Sequence, residues 1–342
     1  MSLELLMLGN APVTQLIERA KLAEANGFDG VWVADERFYR EVYSVLAILA
    51  QHTTRVRLGP CVTDPFARHP ALTAMAIATL DEISGKRAVL GIGAGISGFA
   101  ELGVERKKPA AAIREAIHIV RQLLAGEQVD FHGSVIDFTD GKLSFKPLRA
   151  DIPVYVASNG PLGQRMAGGV ADGAIMEGCG SVEEVTAFRA VLAEGAKKKG
   201  RDPGQVKVVA RLNTCISSDG KAARDAVRLF VARTLTAGRL KFITAEARGL
   251  TLPAEVIAPF ANIHYASGAT PYLPLLPLVT DRHVDAFALC GTVSEVAARV
   301  IELKKAGVDS IMIMPFAPAG GTSEETIVKM GSEVWPQVQK HA

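Results

Sequence analysis

RVRLGPCVTDPFARHPALTAMAIATLDEISGKRAVLGIG, residues 55–93, is the stretch that decides the fold. RVRLG reads as a buried strand. PALTAMAIATLDEIS reads as a helix that opens on Pro70 and stops at Gly85. AVLGIG is the next strand. The link between strand and helix is unusual, because Pro60, Pro65 and Pro70 all fall on it. Proline cannot donate to a ladder, so Pro60 marks a bulge or an irregular strand end. Prolines on both sides of CVTD are read as shaping a platform; a rigid loop leading into His69-Pro70 is the plainer alternative.

The same alternation extends both ways. LELLML, GVWVAD, RVRLG, AVLGIG, PVYVAS, GAIM, VKVVARLNTCIS and DSIMIMP read as eight strands. Amphipathic or apolar helical stretches stand between them, such as VTQLIERAKLAEAN before Gly27 and PAAAIREAIHIVRQLLAGE between Pro109 and Gly126. Eight alternations over most of 342 residues predict a (β/α)8 TIM barrel. The rival is a doubly wound open sheet, disfavoured by the count and by the lack of a glycine fingerprint after the first strand. No Pro-, Gly- or Ser-rich linker divides the chain, so residues 1–342 are read as one barrel domain. Two interruptions stand out. Residues 128–145 predict a hairpin with Asp140-Gly141 as its turn. Residues 236–288 predict an irregular, mainly helical insertion over the barrel mouth.

Bulk composition removes several function classes. Hydrophobic residues make up 49% and charged residues 22%, enough for a large core. A net charge of +2 argues against a nucleic-acid binder. The apolar runs are too short to span a bilayer, and no secretory leader opens the chain. The four cysteines, Cys61, Cys179, Cys215 and Cys290, include no CxxC pair, which fits reduced thiols in a cytoplasmic protein. The histidines show no HxH or HExxH spacing, so no metal site is expected. Cys61 and Cys179 are read as small filler, since no base is implied beside either.

In a barrel, chemistry collects where strands end and helices begin. The second strand ends in Asp35-Glu36-Arg37. Two carboxylates there suit acid–base work, although a solvated loop with an Arg–carboxylate pair is the commoner meaning. The fourth strand ends in GIGAGISGFAELG, residues 91–103, which is neither a P-loop nor a dinucleotide fingerprint. Arg106, Lys107 and Lys108 follow; they can offer positive charge to an anionic tail, although a solvated helix entry is the commoner meaning of such a run. The fifth and sixth strands end in ASNGP, residues 157–161, and EGCGS, residues 177–181, each directly before a helix. Helix N-termini bind phosphate through free N–H groups. Three glycine-bearing loops on one face point to one phosphate-bearing ligand.

Taken together, GFDGVWVAD, RFYREVY, GPCVTDPFARHP, ATLDEISGKRAVLGIGAG, KPAAAIREAIHIVRQLLAGE and PVYVASNGP…AGGVADG resemble the bacterial-luciferase-like oxidoreductases. The likeness is strongest to the methylenetetrahydromethanopterin reductase branch. It runs from about residue 18 to 200, with a weaker echo in ALCGTVSEVAARVIELKKAGVDSIMI. The resemblance implies a luciferase-like barrel that binds the deazaflavin coenzyme F420 or FMN. It implies a non-proline cis peptide at Cys61–Val62, with Pro60, Cys61, Val62 and Thr63 backing one face of the ring. Asp35 matches an acidic residue beside the ring, but Glu36 stands where family members often carry histidine. If proton handling falls to this pair, Glu36 has to be protonated near neutral pH, which needs burial or a like charge such as Asp35. Gly93, Gly95 and Ser97 match the loop after the fourth strand. Ala157, Ser158, Asn159 and Gly160 match a phosphate loop. Glu177, Gly178, Gly180 and Ser181 match the loop after the sixth strand, with Gly180 where some deazaflavin enzymes carry lysine.

The expected activity is hydride transfer between the cofactor and a small organic substrate. Two alternatives stay open. One is an FMNH2-dependent monooxygenase, which needs a separate flavin or F420 reductase as partner. The other is a flavin-binding protein without turnover, made possible by the change from Asp-His to Asp-Glu. A homodimer is implied by the resemblance, with VYSVLAILAQ and PALTAMAIATL as apolar helices that need cover.

Overall fold

The computed structural model describes residues 1–341 apart from 179, 238–240, 261–262 and 264–266. Its strands are β1 Ser2–Leu8, β2 Gly30–Ala34, β3 Arg57–Pro60, β4 Leu90–Gly93, β5 Val129–His132, β6 Asp137–Gly141, β7 Val154–Ala157, β8 Gly173–Glu177, β9 Lys207–Ile216, β10 Ala288–Gly291 and β11 Ser310–Pro315. The main sheet runs β3-β2-β1-β11-β9-β8-β7-β4, and every pairing in it is parallel. The two ends meet through bridges at Leu58–Ala88 and Thr63–Ile92. Eight parallel strands thus form a nearly closed barrel, the predicted architecture.

Strand alternation sorts the core into two. Leu6, Trp32, Ala34, Val89, Tyr155, Ile175, Val209 and Met312 fill the lumen. Their neighbours, such as Leu5, Val31, Val33, Leu58 and Leu90, face outward against the helices. The first helices are α1 Val13–Ala25, α2 Val42–His52, α3 Pro70–Ser84, α4 Pro109–Leu124, α5 Pro161–Val170, α6 Val182–Lys198 and α7 Gly220–Thr236. Helix α3 opens on Pro70 and ends at Gly85, which takes the left-handed conformation. Lower in the barrel the buried Glu4 carboxylate accepts from Trp32 Nε1 and, at 2.6 Å, from Arg57 Nη2. No helix among the described residues is long and apolar enough to cross a membrane.

One reading needs correction. β5 and β6 pair antiparallel, but their turn lies at residues 133–136 and not at Asp140-Gly141. The Glu115 carboxylate on α4 fixes it by accepting from the N–H groups of Ser134, Val135 and Ile136 at 3.0–3.1 Å. Gly141 is required for another reason, since a Cβ there would lie 1.9 Å from the Phe138 ring. β10, unmarked by the sequence, begins at the last residue of the stretch 236–288, whose described residues otherwise form short helices and irregular backbone. It pairs with residues 213–216 of β9, just beyond the rungs that β9 shares with β8. The segment between α7 and β10 builds a second apolar cluster with Val227, Leu250, Tyr272 and Phe287.

Candidate active site

The exit of β3 answers the question its prolines raise. Cys61 N still bonds to Val33 O on β2 at 2.8 Å. Two residues later Thr63 N bonds to Gly91 O, and Gly93 N to Thr63 O, both on β4. The chain therefore steps sideways across the mouth, from one neighbour strand to the other. The Cys61–Val62 peptide is cis, at the bond the resemblance indicated; Arg37–Phe38, which no sequence signal flagged, is cis too. The step needs bare backbone beneath it. A Cβ on Gly91 would come 2.2 Å from Pro60 O, and one on Gly93 would come 2.7 Å from Val62 Cγ2. Val62, Ala157, Leu8 and Met314 line the upper lumen beside the central set.

Three loops lock behind this step. Asp64 is 1% exposed. Its Oδ1 accepts from Phe66 N and Ala67 N, both at 2.8 Å, and its Oδ2 accepts from Arg37 Nη2. Arg37 also donates to Asp35 O at 2.8 Å and stands 5.6 Å from the Phe99 ring centroid. Ser97 Oγ accepts from Arg37 N at 3.2 Å and donates to Glu36 Oε2 at 2.5 Å. Glu36 and Ser97, separate candidates in the sequence, are therefore partners. Arg106 is committed as well, with Nη1 on Gly95 O at 2.7 Å and its guanidinium over Phe99. Gly95 has a positive φ of 63°, and a Cβ there would meet Phe99 at 2.7 Å.

Asp35 turns the other way. It follows lumen-facing Ala34, and its carboxyl lies with Tyr43 of α2 and Thr63. Burial pushes it above the usual carboxylate range, against the pull of Arg37, whose Nη1 is 3.7 Å away. Burial likewise raises the Cys61 thiol to about 12. A thiol this reluctant to ionise is no nucleophile. Cys179 lies outside the described residues.

The two helix starts after β7 and β8 differ in kind. Asn159 ties its loop to β8, donating to Glu177 O at 2.7 Å and accepting from Glu177 N at 3.2 Å. Ser158 Oγ turns back toward Gly160 O at 3.4 Å. Helix α5 then begins with no side-chain cap and no acidic residue in its first turn, and among the described residues nothing fills the space beside Gly160. Helix α6 is already served. Ser181 caps it and accepts from Arg248 Nη1 at 2.7 Å, and Glu183 and Glu184 occupy its first turn. Glu184 in turn accepts from Ile243 N at 2.6 Å and Thr244 N at 2.7 Å. Gly180 packs against Arg299, whose Nη2 donates to Gly180 O at 3.2 Å. The Ser181-Val182-Glu183-Glu184 run is itself a helix-start signal, carried by residue types and spacing alone.

Sequence reading missed the polar lumen. Arg211 and Asn213 share the inner face of β9 with Val209, at i+2 and i+4 from it. Arg211 Nη1 stands 3.7 Å from Glu177 Oε1, and its Nη2 is 3.1 Å from Met314 Sδ. Asn213 Oδ1 is buried and has no hydrogen-bond partner among the described residues. The signal was the spacing, polar residues at i and i+2 following the apolar run Val208-Val209-Ala210 and flanking Leu212.

Comparison with known proteins gives this geometry a setting. The model of a family described as luciferase-like monooxygenase matches residues 4–310. The chain is 37% identical over 327 residues to a 5,10-methylenetetrahydromethanopterin reductase of Methanolobus tindarius, covering 94% of this chain and 96% of the relative. It is 31% identical over 264 residues to an F420-dependent glucose-6-phosphate dehydrogenase of Nocardia farcinica, covering 71% and 78%. The solved structure of a coenzyme F420 dependent tetrahydromethanopterin reductase from Methanopyrus kandleri superposes with a TM-score of 0.86. It is 29% identical to this chain, and the match covers 98% of this chain and 99% of that one.

Proposed function

We infer the activity from one premise, that this chain belongs to the luciferase-like monooxygenase family. On that premise it is an F420-dependent oxidoreductase that moves a hydride between the deazaflavin and a small organic substrate. Relatives whose names carry F420 dependence or pterin reduction support the choice of cofactor. The observation that carries the reading is the stepped exit of β3, which lays Val62 over Gly91 and Gly93 in the same mouth that the start of α5 overlooks.

The residues present fit such a group. Its ring would rest on the Pro60–Thr63 step, with Ala157 and Met314 as apolar wall. Its phosphate would sit at Ser158–Gly160, because α5 offers free N–H groups and no carboxylate. The start of α6 suits it less, since Glu183 and Glu184 place like charge there. The chemistry that a bound deazaflavin supplies is two-electron hydride exchange. The protein's share is position, exclusion of water and charge. Arg211 and Glu177 set a polarised pair in the lumen, and Glu36 is held by the Ser97 hydroxyl.

The deciding experiment is a paired titration with F420 and FMN, each oxidised and reduced, followed by absorbance and fluorescence. Tight binding of F420 alone supports the reading and directs the substrate search to pterins, alcohols and activated double bonds. Tight binding of reduced FMN with oxygen-dependent turnover makes the protein a monooxygenase served by a separate reductase. Binding of neither removes the assignment. A homodimer belongs to the same proposal. Ile48, Leu72, Met75 and Ile83 leave an apolar face exposed on α2 and α3, and a second copy would cover it. Sedimentation of Leu72→Glu/Met75→Glu should then show a monomer beside a dimeric parent.

A further inference from the structure

Three buried polar atoms on the outer side of the β2–β3 wall have no hydrogen-bond partner of ordinary geometry among the described residues. They are Asp35 Oδ2, Thr63 Oγ1 and Tyr43 OH. Buried polar atoms are almost always satisfied, so three orphans in one place need a reason. They are not strangers to one another. The Thr63 hydroxyl is the common neighbour, near enough to the Asp35 carboxyl and to the Tyr43 hydroxyl to favour the charged form of each. Thr63 is fully buried and Tyr43 is 8% exposed, so bulk water does not serve them.

We infer that Thr63 and Tyr43 are positioning residues whose hydroxyls form one reversible hydrogen-bond chain onto the Asp35 carboxyl. A hydroxyl donates once and accepts twice, so such a chain runs in either direction. With Asp35 ionised, Tyr43 O–H donates to Thr63 Oγ1, and Thr63 O–H donates to Asp35 Oδ2. With Asp35 protonated, its O–H donates to Thr63, and Thr63 donates to Tyr43. Both protonation states of Asp35 are then paired, and a proton is gained or lost without opening the wall. Burial, and the Asp35 charge when Asp35 is ionised, hold Tyr43 protonated, so it has a proton to donate to Thr63 in that state. The charged groups that face the chain are Arg37 beside Asp35, Asp64 and Arg68 after β3, and Glu41 at the start of α2. Arg68 lies over the Tyr43 ring at 4.9 Å and closes the outer end. Thr63 is one residue from Val62, so the charge on Asp35 changes directly behind the surface assigned to the cofactor ring. That last link rests on the proposed function; the chain of hydroxyls does not.

The test reads the Asp35 carboxyl itself in cofactor-free protein. Protein carrying carboxyl-13C aspartate is titrated by NMR, and Asp35→Asn identifies the signal. Thr63→Val should raise the Asp35 midpoint by about one pH unit, since a donor to a charged group is lost. Thr63→Ser should restore the parent midpoint. Tyr43→Phe should shift it the same way by less, because only the polarisation of Thr63 is lost. A midpoint unmoved in both Thr63→Val and Tyr43→Phe, or lowered in Thr63→Val, overturns the inference. Should Thr63→Val fail to fold, Tyr43→Phe decides alone, and an unmoved midpoint there overturns it. Cofactor titration of the parent protein is scored separately. Failure to bind F420 or FMN removes the proposed function and leaves the hydroxyl chain standing.

Discussion

Replacing Asp64 by alanine should unfasten the mouth, and the cost can be worked out from its partners. The Asp64 side chain is fully buried, and Arg37, 13% exposed, is its ion partner. Removing one member of such a pair strands the other and costs about 3–5 kcal/mol. Arg37 keeps the Asp35 carbonyl at 2.8 Å and the Phe99 ring, which offsets part of this. Phe66 N and Ala67 N also lose their acceptor, although Ala67 is exposed and water replaces some of that loss. The net expectation for Asp64→Ala is about 3–4 kcal/mol. Asp64→Asn keeps Oδ1 for the two N–H groups but sets an amide N–H₂ against the guanidinium. It should cost about 2 kcal/mol. Arg37→Ala/Asp64→Ala should cost less than the two single changes added together. Urea unfolding followed by the fluorescence of Trp32, buried in the lumen, reads all four proteins. An Asp64→Ala stability within about 1 kcal/mol of the parent at unchanged m refutes the reasoning.

Further expectations concern glycine and pH. Gly91→Ala drives a Cβ to 2.2 Å from Pro60 O, which is backbone and cannot swing away, so thermal unfolding should show a loss of about 1–3 kcal/mol or more. Gly160→Ala meets nothing within 4 Å among the described residues and has an ordinary φ of −100°, so its stability should stay within about 0.5 kcal/mol. Burial raises the Asp35 pKa in the fold, so the native state loses stability as pH climbs through that value. Asp35→Asn should therefore be more stable than the parent at pH 7.5, with the advantage gone below about pH 4; equal urea midpoints at both pH values would contradict this. Glu295 moves oppositely. The Thr292 N–H and then Arg224 hold it at about 2, so its contribution is present above the unfolded value near 4.5 and is lost as pH falls toward 2. The stability deficit of Glu295→Gln, small because the side chain is 41% exposed, should shrink across that window in acid unfolding curves.

The barrel was legible because its evidence is local and repeated. Pro70 and Gly85 bound α3 by their own backbone preferences, and the lumen set follows from period two within each strand. What stayed hidden depends on distant partners. The hairpin turn is fixed by Glu115, which is 19 to 21 residues away in sequence. The Asp140-Gly141 pair imitates a turn because Gly141 yields to the Phe138 ring. β10 has four residues and no alternation to show, and only the upper rungs of β9 make it a strand. In the candidate site, Glu36 and Ser97 were both legible as strand-end residues, but their bond spans 61 positions. Arg211 and Asn213 were legible in principle, and attention to loops alone passed over them.

The long strand β9 has a consequence for chain length. Its lower rungs hold β8, its upper rungs hold β10, and α7 leaves from its end. The segment from α7 to β10 thus departs from one strand and returns to the same strand, like a satchel buttoned at both corners to one seam. Lengthening such a closed detour costs little, because closure entropy grows only with the logarithm of loop length. The barrel gains no stretched crossover when the satchel changes size. The satchel can therefore change its length while the eightfold wall and its stepped third strand keep every rung they have.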